Sequence, residues 1–406
     1  MSTRVLFIPQ AEGGPAHIIP LMALDEMLKR PAFETAFLVP RHVHKFLRQF
    51  GVNVLDVDQQ GWDSNGFRSE LRAYKLFSPH VVVDDASLTT LFATAFGKVP
   101  RVAIQRTGIF PNYRPRNSAH RHSMNAIDVS KLPDVSFLGL RQPATFTDLF
   151  DGEHKIVPGI RSIEVLPAEL QDDPTYVYSG PLLMDDFLME KVGLQDLWTA
   201  DDCLDISNCN DFGSLERFFT AHKNRKVIYA TFGTMAKVYD QVRDCISSLL
   251  DSDIAIVTTI KIPELTPRQQ ELYYYARYLP MHVVCSQVDL VVHQCGSGTY
   301  HYPLMHQRPS ITIGTRCYDR DDVAWHLQEI GVSVYLPAPE ECDDFATTFK
   351  DHVHELLSES GDAACRRNEK LAALNEEIKK TAGAFNFEEL LHSVIETSNP
   401  MSLQAR

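Results

Sequence analysis

The sequence predicts an α/β protein with two doubly wound parallel sheets, each in a domain of its own. Short apolar runs of strand length alternate with segments of helical spacing from the first residues onward, and the alternation starts again after a break. Strands that alternate with helices are joined by crossover connections, which produce a parallel sheet covered on both faces. A length of 406 residues is sufficient for two or three domains of ordinary size.

The N-terminal half of the chain shows this alternation clearly. The apolar run before Pro9 is too short for a helix, and the next segment places Leu21, Leu24 and Leu28 on one helical face. The predicted strands are residues 4–9, 34–39, 53–57, 80–83 and 101–105. The predicted helices are residues 16–30, 42–50, 67–77 and 87–97.

The alternation stops in residues 171–225, which are acidic and polar with few apolar residues, as is typical of a linker and an irregular surface. It restarts with further predicted strands at 227–232, 254–259, 289–293, 310–313 and 332–336. We therefore predict four segments. They are an N-terminal domain at 1–183, a linker at 184–225, a C-terminal domain at 226–384, and a C-terminal helix and tail at 385–406.

The composition limits the function. The chain has 53 Asp and Glu against 39 Lys and Arg, and this net charge of −14 argues against general binding to nucleic acid, which depends on cations at phosphates. No apolar run approaches the ~20 residues that cross a bilayer, and the run before Pro9 is too short for a signal peptide. We expect a soluble cytoplasmic protein, and the sequence leaves its oligomeric state open.

The eight cysteines all lie between Cys203 and Cys365. They form no C-x-x-C pair and no zinc-type spacing with histidine, so we expect reduced thiols with a structural role. The C-terminal domain also has no carboxylate cluster of metal-binding type. The sequence therefore predicts no metal site.

Ligands of doubly wound sheets bind beyond the carboxyl ends of the strands, so the loops after strands are candidate sites. After the first strand, Gly13-Gly14 leads to His17 at or near the start of a helix. The helix dipole there disfavours imidazolium, which suits a neutral base, and such a base needs a partner on its other ring nitrogen. The alternative is a capping or packing histidine. The loop lacks the G-x-G-x-x-G spacing of dinucleotide sites.

Two adjacent aspartates, Asp84 and Asp85, follow the apolar strand at 80–83. One of them is a candidate to orient His17, because the first and fourth strands of a parallel sheet can be neighbours. The other is then a candidate cap for the next helix, since aspartate accepts hydrogen bonds from a helix N-terminus. The sequence leaves open which aspartate has which role.

Two loops of the C-terminal domain have small residues that can present backbone N–H groups to a phosphate. One is Gly233-Thr234, directly after the strand at 227–232. The other follows the strand at 289–293 and contains Gly296-Ser297-Gly298. A Gly-Ser-Gly turn alone is weak evidence, but two such loops in one domain favour a phosphate site.

Residues 101–127 are basic within an acidic chain. They contain no acid and five arginines, which are Arg101, Arg106, Arg114, Arg116 and Arg121. Guanidinium groups suit phosphate and carboxylate oxygens, so this stretch is a candidate site for an anionic acceptor. The alternative is a solvated loop whose arginines pair with nearby acids.

Several of these motifs resemble those of glycosyltransferases of the GT-B fold, which have two Rossmann-like domains with a cleft between them. The likeness is greatest to the family 1 enzymes that glycosylate small molecules, including macrolide and other antibiotics. His17-x-x-Pro20 matches the family's G-H-x-x-P signature, whose histidine is the catalytic base. Asp85-Ala86 is similar to the aspartate that orients this base, although the spacing to the following Val99-Pro100 fits Asp84 as well.

The more specific likeness covers residues 278–336. Residues 289–299 resemble the family's D-x-V-V-H-H-G-G-A-G-T, residues 229–234 resemble its strand ending in S-F-G-T, and residues 319–324 resemble its D-Q-P-D-N-A. The resemblance implies donor contacts from ten residues. They are Gly233, Thr234, His293, Gln294, Gly296, Ser297, Gly298, Thr299, Asp319 and Arg320.

Four residues depart from the family pattern. Gln294 stands where the family has a phosphate-binding histidine, and Cys295 replaces the first glycine of the loop. Tyr302 stands where an acid usually holds the donor ribose, and Arg320 replaces a glutamine that touches the donor sugar. These exchanges alter hydrogen-bonding capacity and charge, so they indicate an unusual donor or a loss of activity.

The resemblance implies metal-independent transfer of a sugar, with inversion, from a nucleotide-diphosphate donor to a hydroxyl of a small acceptor. His17 would be the base, oriented by Asp85 or Asp84. The candidate ligands of an anionic acceptor, of natural-product or nucleoside type, are Arg106, Arg114 and Arg116. The nucleotide sugar is a co-substrate, and no cofactor is implied. Two alternatives stay open, a sugar-nucleotide epimerase on the same scaffold and a catalytically silent partner protein that binds a nucleotide sugar.

Overall fold

The computed structural model describes residues 2–10, 15–61, 64–116, 129, 142–183, 212–232, 240–276 and 279–398. Contacts within the chain divide it into two compact units. Unit 1 comprises residues 1–114, 122–184 and 380–406, and unit 2 comprises residues 115–121 and 185–379. Each unit contains a six-stranded sheet in which every pairing is parallel. The predicted α/β class with two doubly wound sheets is confirmed.

The sheet of unit 1 has the strand order β2-β1-β3-β4-β5-β6. Its strands are β1 (Thr3–Pro9), β2 (Phe33–Phe37), β3 (Val81–Asp85), β4 (Arg101–Ile104), β5 (His154–Val157) and β6 (Tyr176–Tyr178). The apolar runs that predict β1 and β3 form the buried centre of this sheet. The chain leaves β1 toward β2 on one side and returns to β3 on the other, so the switch point of the sheet lies between β1 and β3.

Four helices accompany the first strands, namely α1 (Pro15–Glu26), α2 (Arg41–Gln49), α3 (Ser64–Phe77) and α4 (Thr90–Gly97). Leu21 and Leu24 of α1 are fully buried, as their helical spacing predicts. Short 3₁₀ turns at Phe146–Phe150 and Ala168–Leu170 flank β5.

The prediction of a strand at residues 53–57 is wrong. Only Val54 forms a bridge, to Phe37 of β2, at the edge of the sheet. The chain then turns away, and the carboxylate of Asp58 accepts the backbone N–H of Arg41 at the start of α2, at 2.9 Å. The polar residues of this segment serve a turn and a helix start, which compete with strand pairing at an edge.

The sheet of unit 2 has the strand order β12-β11-β10-β7-β8-β9, with its switch point between β7 and β10. Its strands are β7 (Val227–Thr231), β8 (Ala255–Thr258), β9 (Tyr273–Tyr275), β10 (Leu290–His293), β11 (Ser310–Ile313) and β12 (Ser333–Leu336). β9 is a short edge strand that the sequence analysis did not predict. The other five strands lie where they were predicted.

Nine helices lie in the described residues after β6. They are α5 (Phe212–Ala221), α6 (Asp240–Leu249), α7 (Pro267–Glu271), α8 (Met281–Gln287), α9 (His301–Met305), α10 (Tyr318–Ile330), α11 (Phe345–Ser358), α12 (Gly361–Ala384) and α13 (Phe387–Ser398). α5 lies inside the stretch predicted as a linker. α13 packs on unit 1, where the ring centroids of Phe387 and Phe7 are 6.5 Å apart. A search of the described helices finds none that is long and apolar enough to cross a membrane.

Candidate active site

His17 lies in the first turn of α1, which begins at Pro15 after the loop that follows β1. Proline suits the first position of a helix, because the N–H that it lacks would have no partner there. β1 and β3 pair in parallel with Pro9 opposite Asp85, so the carboxyl ends of these two strands share one edge of the sheet. This edge is the switch point of unit 1, where doubly wound folds bind their ligands.

His17 and Asp85 form a hydrogen-bonded pair at this edge. Nδ1 of His17 lies 2.8 Å from Oδ1 of Asp85, and the histidine side chain is 20% exposed while the carboxylate is fully buried. A hydrogen on Nδ1 that is shared with the carboxylate leaves Nε2 with its lone pair. Within the described part of the chain, nothing bonds to Nε2. His17 therefore has the orientation of a general base.

Asp85 has a second partner in Arg106. Nη2 of Arg106 donates to Oδ2 of Asp85 at 2.6 Å. Burial alone would raise the pKa of Asp85, but the charge of Arg106, followed by that of His17, outweighs burial and lowers this pKa. Asp85 is therefore a carboxylate at neutral pH and can stabilise an imidazolium at His17.

Asp84 does not contact His17, so the alternative in which Asp84 orients the base is wrong. Its two oxygens accept hydrogen bonds from Nε and Nη2 of Arg101, at 2.7 and 2.9 Å, in a fully buried pair. Nη1 of Arg101 donates to the carbonyl oxygens of Leu149 and Asp151. Asp84 therefore ties the end of β3 to β4 and to the segment that precedes β5.

A buried glutamate, Glu70 of α3, supports the turn that follows the two aspartates. Its Oε1 accepts hydrogen bonds from the hydroxyls of Ser87, Thr89 and Thr90. Burial raises the pKa of Glu70 to about 7, and the neighbouring charge of Asp84 acts in the same direction, while the Thr89 hydroxyl opposes both. Glu70 was not predicted as a site residue, although its spacing to Ala73, Tyr74 and Phe77 along α3 places it on the buried face of the helix.

Arg106 was predicted to bind an acceptor, and the structure places its side chain against Asp85. Its side chain is only 10% exposed, and its guanidinium is engaged by Asp85. Arg101 of the same basic stretch is equally committed to Asp84. These pairs could not be predicted from residues 101–127 alone, which contain no acid, because the partners come from a neighbouring strand of the sheet.

The other described arginines of this stretch differ from one another. The backbone N–H of Arg116 donates to Oδ1 of Asp322 at 2.7 Å, and its guanidinium lies 3.9 Å from the other oxygen. Arg114 is exposed and makes no ion pair with any described residue. Arg121 lies outside the described residues. Most of the described arginines therefore pair with acids, although Arg101 and Arg106 do so inside the fold and not in the solvated loop of the alternative interpretation.

In unit 2, His293 ends β10 at the switch point of the second sheet, and its side chain is fully buried. The backbone N–H of Cys295 donates to its Nδ1 at 3.0 Å, so the ring hydrogen is on Nε2. Burial lowers the pKa of His293 to about 3, which keeps the ring neutral. Its Nε2–H has no acceptor among the described residues.

The loop after β10 has further polar groups without partners. Gln294 is 4% exposed, and its Oε1 has no donor in the described part of the chain. The carbonyl of Gly296 accepts the N–H groups of Thr299 and Tyr300, which closes a tight turn. Within this turn, the N–H groups of Gly296, Ser297 and Gly298 donate to no described residue. This turn can therefore offer several N–H donors to an anion.

Cys295 adopts a left-handed backbone conformation, with φ at 58°. Glycine is the usual residue at such angles, which accounts for the glycine in the related motif. The side chain of Cys295 is buried, so this chain accommodates a thiol inside the loop.

The remaining donor candidates lie in or near α10. Asp319 is in its first turn and accepts a hydrogen bond from the thiol of Cys317 at 2.8 Å, and Arg320 is half-buried next to it. The neighbouring Asp321 accepts the backbone N–H groups of Thr315 and Arg316, so it shapes the loop between β11 and α10. Gly233 and Thr234 lie outside the described residues. No group of three potential metal ligands occurs in the part of the chain that the structure describes.

No protein-family model matches the chain. Aclacinomycin-T 2-deoxy-L-fucose transferase of Streptomyces galilaeus is 23% identical over 120 residues, which are 29% of this chain and 27% of that protein. The match thus spans about a quarter of the relative's length.

Solved structures resemble the chain over almost its full length. The glycotransferase of kitacinnamycin has a TM-score of 0.69 at 15% identity, over 98% of this chain and 99% of its own. Os79 of O. sativa, solved in complex with UDP, has a TM-score of 0.69 at 12% identity, over 97% of this chain and 100% of its own. Likeness at such identities establishes the fold. The chain has the GT-B fold of two Rossmann-like units, and the fold expected from the sequence resemblance is confirmed.

Proposed function

We propose that this protein transfers a sugar from a nucleoside diphosphate donor to a hydroxyl of a small acceptor, with inversion at the anomeric carbon. The observation that carries the proposal is the pair of His17 and Asp85 at the switch point of unit 1. A buried carboxylate on Nδ1 and an unengaged Nε2 are what a general base for a hydroxyl group requires.

In the proposed reaction, Nε2 of His17 takes the proton of the acceptor hydroxyl as its oxygen attacks the anomeric carbon. The bond from that carbon to the diphosphate breaks in the same displacement, so the configuration inverts. The imidazolium that forms is stabilised by Asp85, which stays ionised because of its buried partners. No covalent intermediate with the protein and no metal are part of this proposal.

The loop after β10 supports the donor half of the proposal. The diphosphate gains negative charge as it leaves, and fixed N–H donors stabilise such charge without reorganisation. The Nε2–H of His293 and the N–H groups of residues 296–298 are donors without partners in the described part of the chain. We assign the diphosphate to them, with Gln294 as a side-chain donor. The UDP bound to Os79 is a ligand of the same chemical class.

The acceptor is proposed to be a small hydroxyl compound without a required negative charge. The anionic acceptor expected from the basic stretch has lost its main support, because Arg106 binds Asp85 and Arg116 binds Asp322. Arg114 is the exposed cation that the described part of this stretch retains.

The test is a donor screen followed by a transfer assay on the full chain. UDP- and TDP-hexoses are first screened by thermal shift, since a ligand that binds only the folded state raises its Tm. Donors that bind are incubated with hydroxylated aromatic and macrocyclic acceptors, and the anomeric configuration of any product is read by NMR. A product of inverted configuration supports the proposal. If the sugar nucleotide is isomerised when no acceptor is present, the protein is an epimerase. If the donor binds but is not turned over, the protein is a catalytically silent partner protein.

A further inference from the structure

Asp85 has two partners, the imidazole of His17 and the permanently charged guanidinium of Arg106. Oδ1 faces Nδ1 of His17 at 2.8 Å, and Oδ2 accepts a hydrogen bond from Nη2 of Arg106 at 2.6 Å. The carboxylate is fully buried, so water does not screen either interaction. The charge that Asp85 offers to an imidazolium is therefore shared with a permanent cation.

Arg106 is held in place by the loop that follows β4. On one side, the N–H of Gln105 donates to the carbonyl of Ile156 at 2.9 Å. On the other side, the N–H of Thr107 donates to a carboxylate oxygen of the buried Glu164 at 2.6 Å. The guanidinium is thus presented to Asp85 from a fixed backbone.

We infer that Arg106 is a positioning residue that makes His17 a weaker and better poised base, by sharing the charge of Asp85. The inference rests on the proposed function, because it concerns the base of that reaction. Without Arg106, a proton on His17 would provide the sole compensating charge for a buried carboxylate and would be strongly retained. With Arg106, the carboxylate is already compensated, so the imidazole gains less from protonation than it would if Arg106 were absent.

The other charges near Asp85 do not replace this effect. Asp84 is adjacent, but its own charge is matched by Arg101. Glu70 of α3 is buried beside Asp84, and its raised pKa reduces its negative charge at neutral pH. The groups that bond directly to Asp85 are the imidazole of His17 on α1 and the guanidinium of Arg106 after β4.

A purely structural role for Arg106 and a role in tuning the basicity of His17 predict different results. In the structural case, removal of the guanidinium lowers stability and activity but leaves the pH dependence of activity unchanged. In the positioning case, removal of the charge moves the acidic limb of the kcat/KM profile to higher pH. The experiment therefore needs the pH profile and the Tm of the same variants.

The test compares the wild type with R106Q, which keeps an N–H donor but loses the charge, and R106K, which keeps the charge. We expect the acidic limb of R106Q to move upward by about 1 pH unit, the usual size of the effect of one close charge, and that of R106K to stay near the wild type. R367Q is the control for the loss of a largely buried, ion-paired arginine, because Arg367 pairs with Glu359 in unit 2, and we expect a lower Tm and an unmoved limb. R48Q is the exposed control, unchanged in both.

NMR titration of the His17 ring in the same variants needs neither donor nor acceptor. If the titration midpoint of His17 lies at higher pH in R106Q than in the wild type, the inference is supported even when no transfer is found. If the midpoint is the same in both proteins, the inference is overturned even when transfer is found. If R106Q does not fold, the wild type provides the remaining test. Protonation of Asp85 above pH 5 in a carboxyl ¹³C titration would show that Arg106 does not hold it ionised, and would overturn the inference.

Discussion

Asp84 and Asp85 are adjacent in the sequence and both fully buried, yet they bind different partners. Asp84 is paired through both oxygens with Arg101, and Asp85 is shared by His17 and Arg106. Successive side chains of a strand point to opposite faces of the sheet, which separates their roles. Substitution of the two aspartates should therefore give different phenotypes.

Asp85→Asn should abolish most of the transfer activity while the protein stays folded. The amide cannot stabilise an imidazolium, and its N–H₂ group can turn toward Nδ1 and favour the wrong tautomer of His17. We expect kcat to fall by about 10²- to 10⁴-fold, as for other bases that lose their orienting carboxylate. Steady-state kinetics measure the loss, and an unchanged donor-induced thermal shift is the control. A variant with wild-type kcat would show that Asp85 does not act on the base.

Asp84→Asn should act on stability rather than on chemistry. It leaves the buried guanidinium of Arg101 without a counter-charge, which costs about 3–5 kcal/mol in comparable cases. Urea unfolding followed by circular dichroism measures this cost. Activity per folded molecule should stay within a few-fold of the wild type, so a large loss of kcat in a well-folded variant would assign Asp84 a role that its geometry does not indicate.

Glu70 predicts a pH dependence of stability. Its pKa is raised from 4.5 to about 7 in the folded state, so its contribution is fully present below pH 4.5 and is lost as the pH rises through 7. The loss approaches about 1.4 kcal/mol per pH unit within that window. Glu70→Gln removes the titration. The free energy of unfolding of this variant, minus that of the wild type, should therefore be larger at pH 8 than at pH 5. A relative stability that is constant across this range would contradict the assignment.

His293 predicts a specific loss of donor affinity. His293→Phe preserves the ring volume but removes two nitrogens, the Nε2–H that has no partner in the described structure and the Nδ1 that accepts the N–H of Cys295. A hydrogen bond to a charged group contributes about 1.5–3 kcal/mol, so the donor Kd should rise by about one to two orders of magnitude. His354→Phe, at an exposed position of α11, is the control and should bind as the wild type does. Equal donor affinity of H293F and the wild type, measured by calorimetry, would remove His293 from the donor site.

The sequence predicted the features that depend on local pattern. Apolar runs located β1, β3, β7, β8 and β10, because buried parallel strands are continuously hydrophobic. The same pattern placed His17 and the two aspartates at strand ends. The segment at 53–57 misled because a polar turn can contain alternating apolar residues.

The pairings among buried charges could not be predicted in this way. Arg101 and Arg106 lie 17 and 21 residues from their aspartates, a distance that indicates no contact by itself. The contacts follow from the parallel register of β3 and β4, in which Asp84 lies opposite Ala103 and Asp85 opposite Ile104. An arginine-rich stretch therefore suggested an anion site when most of its described charges are compensated inside the fold.

The most direct test of the central claim is a comparison of wild type and His17→Ala in the transfer assay, with donor binding measured on the same samples. We predict that the wild type forms a glycoside of inverted configuration and that His17→Ala loses about 10²- to 10⁴-fold in kcat, the contribution of a positioned base, with an unchanged donor-induced thermal shift. Transfer by His17→Ala at the wild-type rate would contradict the proposed mechanism.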